Sequence, residues 1–142
     1  MRKHFYSLVF VVAVVFAAGC DSIFGPDWES VPGVMLLEQG VFEVPSEATV
    51  HEEIQVRIET AQPDGCSRKG ATRVAEFEGG VEIRPFDERR SSGSTVCIAE
   101  VQHYMHEGVL VFESPGTYVI RVIGGDGEGN EVVVERELVV SP

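Results

Sequence analysis

The sequence of 142 residues is short of positive charge and of cysteine. Lysine and arginine number 11 against 23 aspartates and glutamates, which gives a formal net charge of −12. Such a surface repels phosphate backbones, so the composition argues against a nucleic acid partner. The GxxxxGK phosphate loop, the dinucleotide fingerprint, the GxSxG elbow and the SxxK motif are absent as well. We therefore predict a protein that is not an enzyme and that uses no cofactor.

The sequence also lacks an apolar run that is long enough for a permanent membrane span. Residues 5–18 form an uncharged run of fourteen residues after Arg2 and Lys3, whereas a helix needs roughly 20 residues to cross a bilayer. A basic start followed by a short apolar run is typical of a secretion signal. We predict that residues 1–19 are a signal peptide.

A run of small residues, Ala17, Ala18 and Gly19, leads directly into Cys20. This arrangement resembles the lipobox of bacterial lipoproteins, although that family most often has leucine where Ala17 stands. In that family the cysteine is alkylated with a diacylglyceryl group and becomes the first mature residue. The resemblance implies a lipid anchor on Cys20, a tether over residues 20–33, the membrane as a partner and a place in the bacterial cell envelope, facing the periplasm or the cell surface. The alternative is an ordinary signal that is cleaved after an Ala-x-Ala-like site.

Once Cys20 is set aside, Cys66 and Cys97 form an even pair. In an oxidising envelope they are expected to form a disulfide that closes a loop of thirty-two residues, counted inclusively. We expect it to join a turn at Cys66 with a strand at residues 97–101. The alternative of metal-binding or redox thiols lacks a CxxC-type spacing.

The period of the apolar residues from position 34 onward is two. Ile54, Val56 and Ile58 alternate with polar residues, and alternation returns at 97–101, at Val109 and Val111, and at 118–123. Residues 124–130 are rich in glycine and predict a hairpin loop before the run 132–140. No capped amphipathic helix is visible. We predict one all-β domain over residues 34–142, an antiparallel sandwich of about seven to nine strands.

The segment SPGTY at residues 114–118, followed by VIRV, resembles the start of a late strand in bacterial immunoglobulin-like domains, including PKD-like modules. The following GGDGEGNEVVVERELVV is similar to their final hairpin and last strand. The resemblance implies an immunoglobulin-like fold. Antibody domains place a tryptophan between their two cysteines, and no tryptophan lies between Cys66 and Cys97. The antibody disulfide is therefore not implied.

His103 and His106, in the segment QHYMHE, are candidate ligands for copper or zinc, together with His51 or Met105. Residues three apart on a strand point to opposite faces, so both histidines can bind one ion only if the chain turns near Gly108. The other interpretation is that the two histidines are exposed near the end of a strand.

The acidic GGDGEGN loop at residues 124–130 offers a weak calcium site as an alternative to a simple hairpin loop, although it lacks the twelfth-position glutamate of an EF-hand. The sequence as a whole predicts a non-enzymatic, membrane-anchored envelope lipoprotein. We expect it to be an interaction or structural module whose partners are envelope proteins or cell-surface components. A periplasmic metal-binding module that uses His103 and His106 is the alternative.

Overall fold

The computed structural model describes residues 27–36, 42–90 and 96–142, and all regular structure in these ranges is β. The predictions for the signal peptide and for the lipid on Cys20 lie outside the described residues. No helix within the described ranges is long and apolar enough to cross a membrane. The strands in chain order are β1 (Trp28–Pro32), β2 (Phe42–Glu43), β3 (Glu47–Thr49), β4 (Ile54–Gln62), β5 (Ser67–Phe77), β6 (Gly80–Arg90), β7 (Gln102–Leu110), β8 (Gly116–Gly125) and β9 (Glu131–Ser141).

The nine strands form two sheets, as expected for a β-sandwich. The larger sheet has the order β5-β6-β8-β9-β3, with β1 beside the second half of β6, and the smaller sheet has the order β2-β4-β7. The pairings β6–β8 and β3–β9 are parallel, and the other pairings are antiparallel. The larger sheet is therefore mixed, which corrects the expectation of an entirely antiparallel sandwich, whereas the smaller sheet is antiparallel throughout. The parallel pair β6–β8 arises because the chain crosses to the smaller sheet at β7 and then returns.

The core lies between the two sheets and follows the two-residue period. Ile54, Val56 and Ile58 of β4 face Val81 and Ile83 of β6, and each of these side chains is buried. Strands β8 and β9 complete the core with Ile120, Val122, Leu138 and Val140. The alternation that predicted β4 and β8 therefore marks the inner face correctly.

The run 109–112 has the opposite phase to the one expected. Val109 and Val111 are 59% and 51% exposed, whereas Leu110 and Phe112 are buried. All four residues are apolar, so the sequence does not show which two of them face the core. Pairing of Leu110 with Ile54 at the end of β4 directs Leu110 and Phe112 inward.

The β-domain begins within the segment that the sequence assigned to the tether. Strand β1 pairs with β6 from Trp28 opposite Arg90 to Pro32 opposite Phe86. The guanidinium groups of Arg68 and Arg90 lie 4.1 and 5.7 Å from the centre of the Trp28 ring. Contacts of this kind bind the indole to the sheet.

The predicted disulfide between Cys66 and Cys97 is present, with a Cα–Cα distance of 5.2 Å. Cys66 lies in a turn, as expected. Residues 96–101 do not form a strand, so the bridge joins the turn to an irregular segment and not to a strand. The amide of Gly65 donates to the carbonyl oxygen of Ile98 at 2.9 Å, which adds a second link between these segments.

Candidate functional site

An open cleft separates the free edges of β5 and β7. Within the described ranges, β5 pairs with β6 alone and β7 pairs with β4 alone. Two side-chain hydrogen bonds join the strands at one end of the cleft, between Ser67 Oγ and Tyr104 Oη at 3.0 Å and between Thr72 Oγ1 and His106 Nδ1 at 2.9 Å. Beyond Thr72 the two edges leave a cleft of about 460 Å³. Strands β5 and β7 are therefore linked at one end of the cleft and separated at the other.

The cleft has an apolar floor and partly apolar walls. Val81, Leu110 and Phe112 form the floor and are buried, whereas Val74 and Val109 on the walls are 49% and 59% exposed. Burial of exposed apolar side chains such as these is favourable, because it removes apolar surface from water.

Gly108 lies on β7 next to Val109, which lines the cleft, and has open space at the position of a Cβ atom. The residue is in phase with the buried His106 and Leu110 on β7, and a Cβ atom built on it would have no neighbour within 4 Å. The inner side of β7 is therefore open at Gly108, and a larger residue there would occupy free space.

The edge of β5 presents backbone hydrogen-bonding groups towards the cleft. Phe77 and Gly80 flank a two-residue turn, in which Gly79 has a φ of 89°. Because the flanking residues of such a hairpin bond to each other, alternate residues back along β5 direct their N–H and C=O groups away from β6. These residues are Thr72, Val74 and Glu76. An unpaired strand edge of this kind can accept a further strand.

The charged side chains that line the cleft are all acidic. They are Glu76 on β5 and Glu113 after β7, and no lysine or arginine among the described residues lines it. Neither carboxylate forms an ion pair with another described residue. The cleft therefore combines an apolar floor with two carboxylates that form no ion pair within the part of the chain that the structure describes.

A buried polar cluster lies between the two sheets, next to the closed end of the cleft. Asp87 on β6 accepts hydrogen bonds at Oδ2 from Thr60 Oγ1 and Gln62 Nε2, each at 2.9 Å, and lies 3.0 Å from His106 Nε2 through Oδ1. The other ring nitrogen of His106 contacts Thr72 Oγ1. The cluster joins four strands, and every polar atom named in it has a partner, as buried polar groups require.

Thr72, His106 and Asp87 have the order hydroxyl, imidazole, carboxylate that some enzymes use to activate a nucleophile. His106 has no exposed surface, however, and none of the three residues lines the cleft. The arrangement in this structure connects the sheets and offers no surface on which a substrate could meet the imidazole.

The structure does not bring the three candidate metal ligands together. Strand β7 runs through Gly108 without a turn, so His103 and His106 point to opposite faces. His103 is exposed and its Nδ1 lies 2.9 Å from Glu59 Oε1. His106 is buried with both ring nitrogens occupied, which corrects the expectation that both histidines are exposed at a strand end.

His51 is also separate from the other two histidines. It adopts a φ of 65° in the turn before β4, near the end of β7 that carries Leu110. His103 pairs with Ala61 at the opposite end of the same two strands, a separation of roughly 20 Å at about 3.3 Å per residue. One ion cannot contact both residues.

The acidic loop 124–130 is a hairpin loop whose aspartate is occupied by the loop itself. Asp126 accepts hydrogen bonds from the amides of Glu128 and Asn130 at Oδ1, and from Asn130 Nδ2 at Oδ2. The Asn130 side chain, followed by the two amides, lowers the pKa of Asp126. Gly127 and Gly129 have φ values of 85° and 99°, as the glycine pattern predicted. The carboxylate therefore stabilises the turn through hydrogen bonds within the loop.

Asp64, Cys66 and Cys97 place three ligand-type atoms within 4.8 Å of one another. The two sulfur atoms are already joined in the disulfide, and Asp64 Oδ2 accepts a hydrogen bond from Arg89 Nη2 at 2.8 Å. This group stabilises the turn at Cys66 and leaves no thiolate for a metal.

Sequence patterns contain a signal for the buried cluster but none for the cleft. Asp87 continues the spacing of Val81, Ile83 and Pro85, so the period of two places its carboxylate on the inner face of β6. The cleft depends on where the edges of β5 and β7 separate, and these two strands are far apart in the chain. Comparison of the chain with models of protein families, with curated proteins and with solved structures finds no match.

Proposed function

We propose that this protein is a lipid-anchored, non-enzymatic interaction module of the bacterial cell envelope, with an immunoglobulin-like sandwich that binds a partner protein. The observation that carries the proposal is the open cleft between the free edges of β5 and β7. Soluble proteins usually cover or block long strand edges, because such edges pair with other chains. An uncovered edge beside an apolar cleft is the surface that binds a further strand in β-augmentation.

The lipid anchor is supported by the lipobox-like residues that end at Cys20 and by the position of β1. Two or three acyl chains hold a protein at a bilayer almost permanently. Residues 21–27 separate Cys20 from Trp28, and seven extended residues span at most about 25 Å. The start of β1 would therefore stay close to the membrane surface.

The cleft lies at the end of β6 that is remote from this anchor point. Trp28 pairs with Arg90 at one end of β6, whereas Gly80 and Val81 line the cleft at the other end. Ten steps along a strand at about 3.3 Å each separate the two ends by roughly 33 Å. The anchor would thus leave the cleft directed away from the membrane and accessible to a partner.

Photo-crosslinking in living cells tests the interaction. A photoreactive amino acid replaces Val109 at the cleft in the full-length protein, and the matched control replaces Val133 on β9, which is also exposed. We expect one discrete adduct with an envelope protein from position 109 and none from position 133. Equal adducts from both positions, or no adduct from position 109, would contradict the proposal.

Metabolic labelling with a radioactive fatty acid tests the anchor. The full-length protein should incorporate label and fractionate with membranes, and Cys20→Ser should abolish both properties. A Ser22→Ala variant is the matched control, because it changes a neighbouring residue and leaves the thiol. Membrane retention of Cys20→Ser without label would show that another segment anchors the chain.

A further inference from the structure

We infer that the cleft binds an extended polypeptide segment that carries both basic and apolar side chains. The inference rests on the proposed function, because it names the chemistry of the partner at the same surface. The strand edge of β5, the apolar floor and the two free carboxylates each specify one property of this segment.

The edge of β5 requires an extended backbone. Thr72, Val74 and Glu76 direct their amide and carbonyl groups to the free side of the strand. A segment that lies along this edge at about 4.8 Å satisfies those groups in the manner of an added strand. A helix cannot do so, since its own backbone groups are already paired.

The side chains of such a segment would meet both apolar and acidic groups in the cleft, because Glu76 pairs with Val81 and lies on the same face of the sheet as the floor. Side chains of an extended segment alternate, so every second one faces the floor formed by Val81, Leu110 and Phe112. The space at Gly108 and the volume of about 460 Å³ accommodate aliphatic side chains of moderate size. Glu76 and Glu113 at the walls attract lysine or arginine.

Charge also distinguishes this partner from other occupants of the cleft. A second copy of the chain carries a formal net charge of −12 and would bring its own Glu76 and Glu113 to the same place. The chain's internal segments 37–41 and 91–95, LEQGV and SSGST, contain no lysine or arginine. A basic segment of another protein is the occupant that complements both the edge and the charge.

Fluorescence anisotropy with a labelled peptide tests the inference on the full-length protein in detergent. The probe is a short peptide in which lysine and valine alternate, and the comparison probe replaces each lysine with glutamate. We expect the lysine peptide to bind at least tenfold more tightly than the glutamate peptide and to weaken as salt is added, because salt screens charges at the cleft walls.

Substitutions in the cleft, and at Gly108 beside it, locate the binding. Gly108→Leu fills open space without meeting another atom at its Cβ, so the fold should persist while binding falls at least tenfold; Gly108→Ala should retain most of it. The pair Glu76→Gln and Glu113→Gln should remove most of the preference for the lysine peptide. Glu137→Gln, at an exposed position of β9, is the matched charge control and should leave the preference for the lysine peptide unchanged.

Each outcome supports or overturns the inference. Equal affinity for the two peptides overturns it, and so does binding that neither Gly108→Leu nor the glutamate pair reduces. If Gly108→Leu does not fold, the glutamate pair and its Glu137→Gln control still decide the result. If a partner crosslinks at position 109 but the lysine peptide does not bind, the inference of a basic segment is wrong and the proposed interaction module is still supported. If there is neither a crosslinked partner nor peptide binding, the proposed function is wrong as well.

Discussion

The Nε2 atom of His106 lies 3.0 Å from Oδ1 of Asp87, and neither side chain has any exposed surface. His106 belongs to the smaller sheet and Asp87 to the larger one, so the pair joins the two layers of the sandwich. The pair also lies beside the closed end of the cleft, because His106 contacts Thr72 of β5 there.

Replacement of Asp87 with alanine should destabilise the protein strongly. The change leaves His106, Thr60 and Gln62 without the acceptor that they share in the core. Loss of one member of a buried, hydrogen-bonded pair costs about 3 to 5 kcal/mol. Urea unfolding followed by circular dichroism measures the loss. His103→Ala is the matched control and should change the free energy of unfolding by no more than about 0.5 kcal/mol, since His103 is exposed; equal losses in the two variants would contradict the prediction.

Asp87→Asn should cost much less than Asp87→Ala, because the cluster can reverse its hydrogen bonds. The new amide would donate to His106 Nε2, and Nδ1 would then donate to the hydroxyl of Thr72, which accepts as well as donates. The amide oxygen still accepts from Thr60 and Gln62. Nitrogen-15 NMR of the histidine ring should show the proton on Nε2 in the parent protein and on Nδ1 in the variant. The same tautomer in both proteins would show that the cluster does not rearrange in this way.

Loss of the disulfide between Cys66 and Cys97 should lower stability by roughly 3 to 4 kcal/mol, because the closed loop restricts the unfolded chain. The double variant Cys66→Ser with Cys97→Ser tests this by urea unfolding. Addition of a reductant to the parent protein should give a similar loss, and it should leave the double variant unaffected. Two free thiols in protein isolated from the envelope would contradict the predicted bridge.

The pKa of Asp126 should lie below the ordinary value for an aspartate, and Asn130→Ala should raise it. The Asn130 side chain makes the largest contribution to the lowering. Glu128→Ala is the matched control, because Glu128 contributes its backbone amide and not its side chain. Since the carboxylate is favoured in the folded state, its contribution to stability is present above the ordinary pKa and is lost as the pH falls through the lowered one. Carbon-13 NMR titration measures the three values, and equal effects of Asn130→Ala and Glu128→Ala would contradict the assigned cause.

Local sequence rules predicted a large part of the fold. The alternation of Ile54, Val56 and Ile58 with polar residues marks the inner face of β4, because side chains of a strand alternate wherever the strand lies. Glycines at 127 and 129 adopt the positive φ values that the hairpin loop needs. The Cys66–Cys97 bridge could be expected from an even pair of cysteines.

The hypothesis of a metal site at the histidines shows what local sequence rules cannot predict. His103 and His106 are close in the chain, and only a turn at Gly108 could have placed them on one face. The structure continues β7 through Gly108, because β4 offers a partner at every position from Ile54 to Gln62. A continuous ladder of pairing therefore kept the two imidazoles apart.

Residue types and short-range spacing are enough to specify an acidic, all-β domain with glycine turns and a disulfide. Three features emerge only when the chain is folded: the buried phase of residues 109–112, the contact of Asp87 with His106, and the cleft between β5 and β7. Each of these depends on pairing between strands that are far apart in the chain. The period of two does not specify which strands pair, and only the packing of the whole core selects among the arrangements.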